Sequence, residues 1–156
     1  MSTPEISIRP EDPRQADVRR IIAESGAYLQ ALYPSDSNHL VEVDALAAPD
    51  ALFLVARRNG ELLGSIAFRI IAPGHVEIKR MFVRTQARGN GIGRRLLEAL
   101  EEAARQRNVD RVSLETGIRQ PEAIGLYRAS GYRDCPPFGT YTPDPLSLFM
   151  TKRLRP

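Results

Sequence analysis

The sequence predicts a single α/β domain of the α+β type over residues 1–156, with a mixed, mostly antiparallel sheet, on three observations. "ALFLVARRNGELLGSIAFRI" is a pair of β-rich runs around Asn59-Gly60, residues that take the positive φ values of a tight hairpin turn at little cost. "HVEIKRMFVR", an amphipathic helical run and "RVSLETG" follow in that order, and a strand–helix–strand crossover leaves its two strands parallel. Between the first of these strands and its helix lie three glycines at alternate positions, Gly89, Gly91 and Gly93.

The remaining elements fall around that frame. "EISIRP" alternates and ends at a proline, as a short first strand does. Pro13 opens a helical stretch in which Val18, Ile21, Ile22, Leu29 and Leu32 recur at helical spacing, and Pro34 stops it. "YPSDSNHLVEVDALAAPD" is turn-rich and then carries enough apolar spacing for a short second helix ending near Pro49. After the glycines, Ile92, Leu96, Leu97, Leu100, Ala103 and Ala104 form an apolar stripe with Glu and Arg between them. "PEAIGLYRAS" starts with proline at a helix-opening position and stops at Gly131, and "SLFMTKRL" makes a last strand.

Composition narrows the function. With 156 residues, 42% of them hydrophobic, the chain can bury one core. A net charge of only +3, without a polybasic tail, does not imply nucleic-acid binding. Cys135 is the single cysteine and the two histidines are scattered, so neither an internal disulfide nor a zinc-ligand spacing is expected, and no metal. "MSTPEISIRP" lacks the apolar core of a signal peptide and no run nears the roughly 18 apolar residues of a membrane span, so a soluble, cytoplasmic protein without a membrane partner is expected.

The glycine stretch "RTQARGNGIGRRLLEAL" carries the chemistry. Its G-x-G-x-G spacing fits neither the dinucleotide fingerprint G-x-G-x-x-G nor the P-loop, which ends in Gly-Lys-Ser/Thr where this chain has Gly93-Arg94-Arg95. What it supplies is a strand end, a backbone free to turn its N–H groups together, and the positive end of a helix aimed at the same place. Arginines at 84, 88, 94 and 95 surround it. An anion there gains on the order of 0.3–1 kcal/mol per charge from the helix terminus. The alternative is a plain turn with a solvated basic face.

Arg88-Gly89-Asn90-Gly91-Ile92-Gly93 resembles the R/Q-x-x-G-x-G/A signature of the GNAT superfamily of N-acetyltransferases, with "EIKRMFV" before it and "ETG…EAIGLYRASGY" after it, together spanning residues 77–132. The resemblance implies a sheet whose central parallel pair splays around the cofactor, with helices on both faces. It implies acetyl-CoA as cosubstrate, with the pyrophosphate on the backbone of Arg88, Gly89, Asn90, Gly91, Ile92, Gly93 and Arg94. The pantetheine arm would lie along Met81, Phe82 and Val83, and an N–H near Val83 would polarise the thioester carbonyl. Homodimers are common in that family.

The acceptor amine must be neutral to attack. A lysine-type amine with a pKa of about 10.4 is neutral in roughly one molecule in 2,500 at pH 7, a handicap of about 4.6 kcal/mol, so a base is useful. Glu77 is the candidate on the strand the resemblance singles out; the alternative is that it pairs with Lys79 or Arg80 on the sheet surface. Tyr127 stands where the family commonly has the tyrosine that protonates the departing thiolate; the alternative is aromatic packing. Gln120 or Glu122 occupies the region where the family often has an asparagine touching the cofactor. Cys135 has no histidine near it in sequence and is read as a passive thiol, and His75 begins a strand. Tyr33, Ser37, Asn38, His39 and Tyr141, from "YPSDSNH" and "FGTYTPDP", could contact a small-molecule or peptide amine acceptor, or merely order their loops. An acyl-CoA sensor without turnover and a basic nucleic-acid binder are the rival functions.

Overall fold

Asn59 and Gly60 take φ values of 51° and 78°, and the turn they make folds Ala51–Arg58 (β2) back on Glu61–Ala72 (β3). The structure, a computed structural model, describes residues 5–32 and 43–154. Ser7–Pro10 (β1), the helix Ala16–Leu32 (α1) and the short helix Val43–Leu46 (α2) precede the hairpin. His75–Val83 (β4), the helix Ile92–Gln106 (α3), Arg111–Gly117 (β5), the helix Pro121–Ala129 (α4), Arg133–Asp134 (β6) and Ser147–Arg153 (β7) follow it. The strands form one sheet in the order β1-β2-β3-β4-β5-β7-β6, antiparallel throughout except between β4 and β5. The expected order of elements is met, although α1 begins three residues after Pro13, because Asp12 accepts hydrogen bonds from the Arg14 N–H and guanidinium and holds a turn there.

The alternation of the strands sends side chains to two cores. Leu52, Leu54 and Ala56 of β2 join Leu96, Leu97 and Leu100 of α3 on one face, with Val76, Ile78, Val112, Leu114 and Met150. Phe53 and Val55 point the other way, to Val18, Ile21 and Ile22 of α1 and Leu46 of α2. Helices therefore cover both faces, as expected. Behind α3, the buried Glu101 accepts hydrogen bonds from Tyr132 (2.9 Å) and Lys152 (2.8 Å), which ties that helix to β7.

The central parallel pair is short. β4 and β5 pair only at His75–Arg111, Val76–Val112 and Glu77–Ser113, although β4 runs on to Val83 and β5 to Gly117. The cause lies on the other edge of β4. Between the pairs Ser65–Phe82 and Ala67–Lys79, β3 advances two residues while β4 advances three, and Arg80 takes φ 52° to accommodate the bulge. The bulge turns the end of β4 away from β5, and the expected splay opens beyond Glu77.

Candidate functional site

A cavity of about 550 Å³ lies along the end of β4 beyond its pairing with β5. Met81, Phe82 and Val83 of β4 form one wall, and Arg88, Gly89, Gly91, Ile92, Gly93 and Arg94 form its end at the start of α3. Gln120, Pro121, Glu122, Ala123 and Leu126 close it from α4, so both residues that stand for the family asparagine do line it. Ser25 of α1 completes the lining, and the sequence reading missed it. Its signal was present: Val18, Ile21, Ile22 and Ser25 occupy successive positions of one helical stripe, and Ser25 is the polar residue in it.

The glycine loop is built to leave amides open. Gly89 and Gly91 take φ values of 84° and 72°, left-handed conformations that side-chain-bearing residues rarely adopt, and a Cβ on either would meet nothing within 4 Å. The first bond of α3 runs from the Arg95 N–H to the Gly91 carbonyl, so the N–H groups of Ile92, Gly93 and Arg94 lack the intrahelical acceptor that later turns have. The N–H groups of Gly89, Asn90 and Gly91 donate to no acceptor among the described residues. This end of the cavity thus offers a run of six unengaged donors at a positive helix terminus, which fits a pyrophosphate.

Two members of the expected cradle have other duties. The Arg88 N–H donates to the Thr85 carbonyl at 3.3 Å and its Nε to the Val83 carbonyl at 3.1 Å, so only the rest of its guanidinium is available. The Asn90 side chain does not line the cavity; its Nδ2 donates to the carbonyls of Ala87 and Arg88 and holds the loop in shape. Gly93 matters for a different reason from its neighbours. A Cβ there would stand 3.1 Å from Met81 Cε and 3.2 Å from Leu126 Cδ2, so it keeps α3, β4 and α4 together at the cavity wall.

Glu77 lies at the last pair before the splay and pairs with Lys79 (Nζ to Oε2, 3.1 Å), a partner the alternative reading named, but Glu77 is buried rather than on the sheet surface. Tyr141 comes in from the segment before β7 and donates its O–H to the same Oε2 at 2.6 Å, while Lys79 donates to the Tyr141 oxygen at 2.6 Å. Burial, and then the carboxylate beside it, push the Tyr141 phenol above its ordinary range. Glu77 Oε1 accepts no hydrogen bond from a described residue. One pleat earlier, His75 begins β4 as expected, and its Nε2 lies 2.7 Å from Ser113 Oγ. Tyr33, Ser37, Asn38 and His39 lie outside the described residues.

Tyr127 is buried against the Tyr132 ring, one position past the cavity-lining Leu126, and is not itself in the lining. Burial, with a smaller contribution from Glu115, raises its phenol, and its hydroxyl hydrogen-bonds to no described residue. Burial also raises the half-buried Cys135 thiol, which suits a passive group. Among the described residues no group of His, Cys, Asp and Glu could hold a metal ion, and no helix is long and apolar enough to cross a membrane.

Comparison with known proteins agrees with this geometry. Residues 17–132 match the model of the acetyltransferase (GNAT) family. The chain is 50% identical over 152 residues to an IAA acetyltransferase of Azospirillum brasilense, covering 97% of this chain and 99% of that protein. Its fold superposes on a solved structure described as an acyl-CoA N-acyltransferase from Klebsiella pneumoniae with a TM-score of 0.81 and 36% identity, over 96% of this chain and 97% of that one. The PaiA N-acetyltransferase of Thermoplasma acidophilum, solved in complex with coenzyme A, shares the fold at a TM-score of 0.73 and 18% identity, over 96% and 99% of the two chains.

Proposed function

The chain belongs to the acetyltransferase (GNAT) family, and from its place among these N-acetyltransferases we propose that it works as one domain that moves the acetyl group of acetyl-CoA to a primary amine by direct attack in a ternary complex. The observation that carries this reading is the run of unengaged amides from Gly89 to Arg94 at the end of a cavity walled by Met81, Phe82 and Val83. Acetyl-CoA supplies an acetyl group on a thioester; the residues of the chain bind, orient and move protons. The amides of Gly89 to Arg94 hold the pyrophosphate, and the backbone of Met81 and Val83 lines up the pantetheine amides on the edge of β4 that β5 leaves free. The N–H of Val83 polarises the thioester carbonyl.

Glu77 takes the amine proton, directly or through water, as the acceptor nitrogen bonds to the acetyl carbon and the C–S bond breaks. Tyr127 donates a hydrogen bond to the departing sulfur. Because burial raises this phenol, complete proton transfer to a thiolate whose thiol has an ordinary pKa of about 8.5 is uphill, so the retained O–H acts mainly by stabilising the thiolate. The protein works in the cytoplasm in this reading, as a monomer or a homodimer.

The test is calorimetry with CoA, followed by thiol release from acetyl-CoA with spermidine, lysine, kanamycin and an alanine-initiated tripeptide as acceptors. IAA joins the panel because the Azospirillum brasilense relative is named for it. CoA binding with turnover of at least one acceptor is expected. Binding without turnover of any would make the chain an acyl-CoA sensor, and no binding would remove the donor site.

A further inference from the structure

We propose that Tyr141 is a positioning residue for acetyl transfer: with Lys79 it fixes one oxygen of Glu77, so that the segment 135–146 sets the aim of the base. This rests on the reading of Glu77 as that base. The three side chains close a triangle, with Tyr141 Oη 2.6 Å from Glu77 Oε2, Lys79 Nζ 2.6 Å from Tyr141 Oη, and Lys79 Nζ 3.1 Å from Glu77 Oε2. A hydroxyl has one proton, so Tyr141 donates to the carboxylate and accepts from the ammonium. Oε2 is thereby committed, and Oε1, which accepts from no described residue, is the oxygen left to meet an amine or its water.

The ring that delivers this hydroxyl is itself held. Pro136, Pro137, Pro143 and Pro145 restrict the segment around it. Within it the Tyr141 N–H donates to the Phe138 carbonyl, and Asp144 Oδ1 accepts from the Leu146 N–H. The Tyr141 ring packs edge-on against Phe138 and Phe149, each with centroids 5.3 Å away. A buried carboxylate swings between rotamers unless its oxygens are bonded, and here the bonds come from the loop and from the strand together. The sequence offers Tyr141 either as a polar contact to the acceptor or as a residue that orders its loop; in the structure its hydroxyl is engaged with Glu77 and Lys79.

Tyr141→Phe tests this because it keeps the ring and removes only the hydroxyl. The carboxyl resonances of the full chain labelled with ¹³C-glutamate are recorded at a fixed neutral pH, with the Glu77 signal assigned by its loss in Glu77→Gln. Losing a donor changes the surroundings of the carboxyl carbon, so the Glu77 signal should change its chemical shift in Tyr141→Phe. With the fastest acceptor of the panel, the rate at the acid end of the profile should fall about tenfold while CoA affinity and Tm stay close to those of the parent. Lys79→Met should move both readouts the same way, and Lys79→Arg should restore them.

The groups registered beside Glu77 are His75 on its own strand, Arg69 opposite it on β3 and Ser113 opposite it on β5, with Arg111 opposite His75; Glu115 of β5 acts on Tyr141. If Glu77→Gln slows the reaction but Tyr141→Phe neither shifts the Glu77 signal nor lowers the rate, this inference alone is overturned. If no panel acceptor turns over, or the Glu77→Gln profile matches the parent, the base reading fails and this inference fails with it.

Discussion

A Cβ placed on Gly64 would stand 2.6 Å from the carbonyl oxygen of Phe82 and 3.2 Å from the Val83 Cα, so β3 and β4 approach each other there more closely than any other residue allows. The atoms it would strike are backbone, and both Phe82 and Val83 face the cavity. Gly64→Ala must therefore push the cavity wall itself. Overpacking of this kind costs roughly 1–3 kcal/mol. The expected result is a lower Tm in thermal unfolding together with weaker CoA binding by calorimetry. A variant with normal CoA affinity would show that this wall does not hold the pantetheine.

Gly91→Val separates conformation from space. A Cβ there would meet nothing within 4 Å, but Gly91 has φ 72° as the residue capping α3, and a left-handed residue other than glycine costs about 1–2 kcal/mol. The cap relaxes by turning its N–H away, so the CoA dissociation constant should rise on the order of tenfold while the core, which Gly91 does not touch, keeps most of its stability. Gly93→Val makes the opposite error, because its φ is ordinary for a helix while Met81 and Leu126 are already at contact distance. It should lower Tm more than Gly91→Val does.

Most of the frame was legible in local patterns. Asn59-Gly60, the apolar stripe from Ile92 to Ala104 and the crossover to "RVSLETG" each depend on a few neighbouring residues, and their elements stand where those patterns put them. The open amides from Gly89 to Arg94 were legible too, since they come from consecutive residues. What escaped were contacts between distant segments. Tyr141 reaches Glu77 across 64 positions, and nothing in "FGTYTPDP" indicates where its ring will fall. The bulge at Arg80 gave no sign either, because arginine has no preference for positive φ and the strain is set by the pairing with β3.

Arg57 sets a pH-dependent part of stability. Its guanidinium donates to both oxygens of Glu11 and, at 2.8 Å, to Asp17 Oδ2, pinning β2 to the turn before α1 and to the first turn of that helix. The hydrogen bonds from Arg57 lower both carboxyl groups below their ordinary values of 4.5 and 3.8. Carboxylates depressed in the folded state add stability above the unfolded values, and that stability is lost as pH falls through the folded values. Asp17 is 45% exposed, so its share is largely screened and Glu11 supplies most of the effect. Arg57→Met should destabilise the protein by roughly 1–3 kcal/mol at pH 7 in urea unfolding, with the difference shrinking below about pH 4. A constant difference across that range would remove the two carboxylates from the account.

Tyr127→Phe isolates the leaving-group step. The hydroxyl has no described hydrogen-bond partner, so deleting it strands no donor or acceptor and Tm should change little. Tyr127 is not among the residues that line the cavity, so CoA affinity should stay within about twofold of the parent, as expected for a group that acts on the transition state. Turnover should fall about 10- to 100-fold, the scale of one charge-assisted hydrogen bond to a developing anion. Because burial holds this phenol protonated beyond the ordinary tyrosine range, the loss should be the same from pH 6 to pH 9, and Tyr127 should contribute no alkaline limb below about pH 10. Steady-state rates across that range decide it: equal turnover in the two proteins would leave the departing sulfur to be stabilised by other groups and reduce Tyr127 to a packing residue.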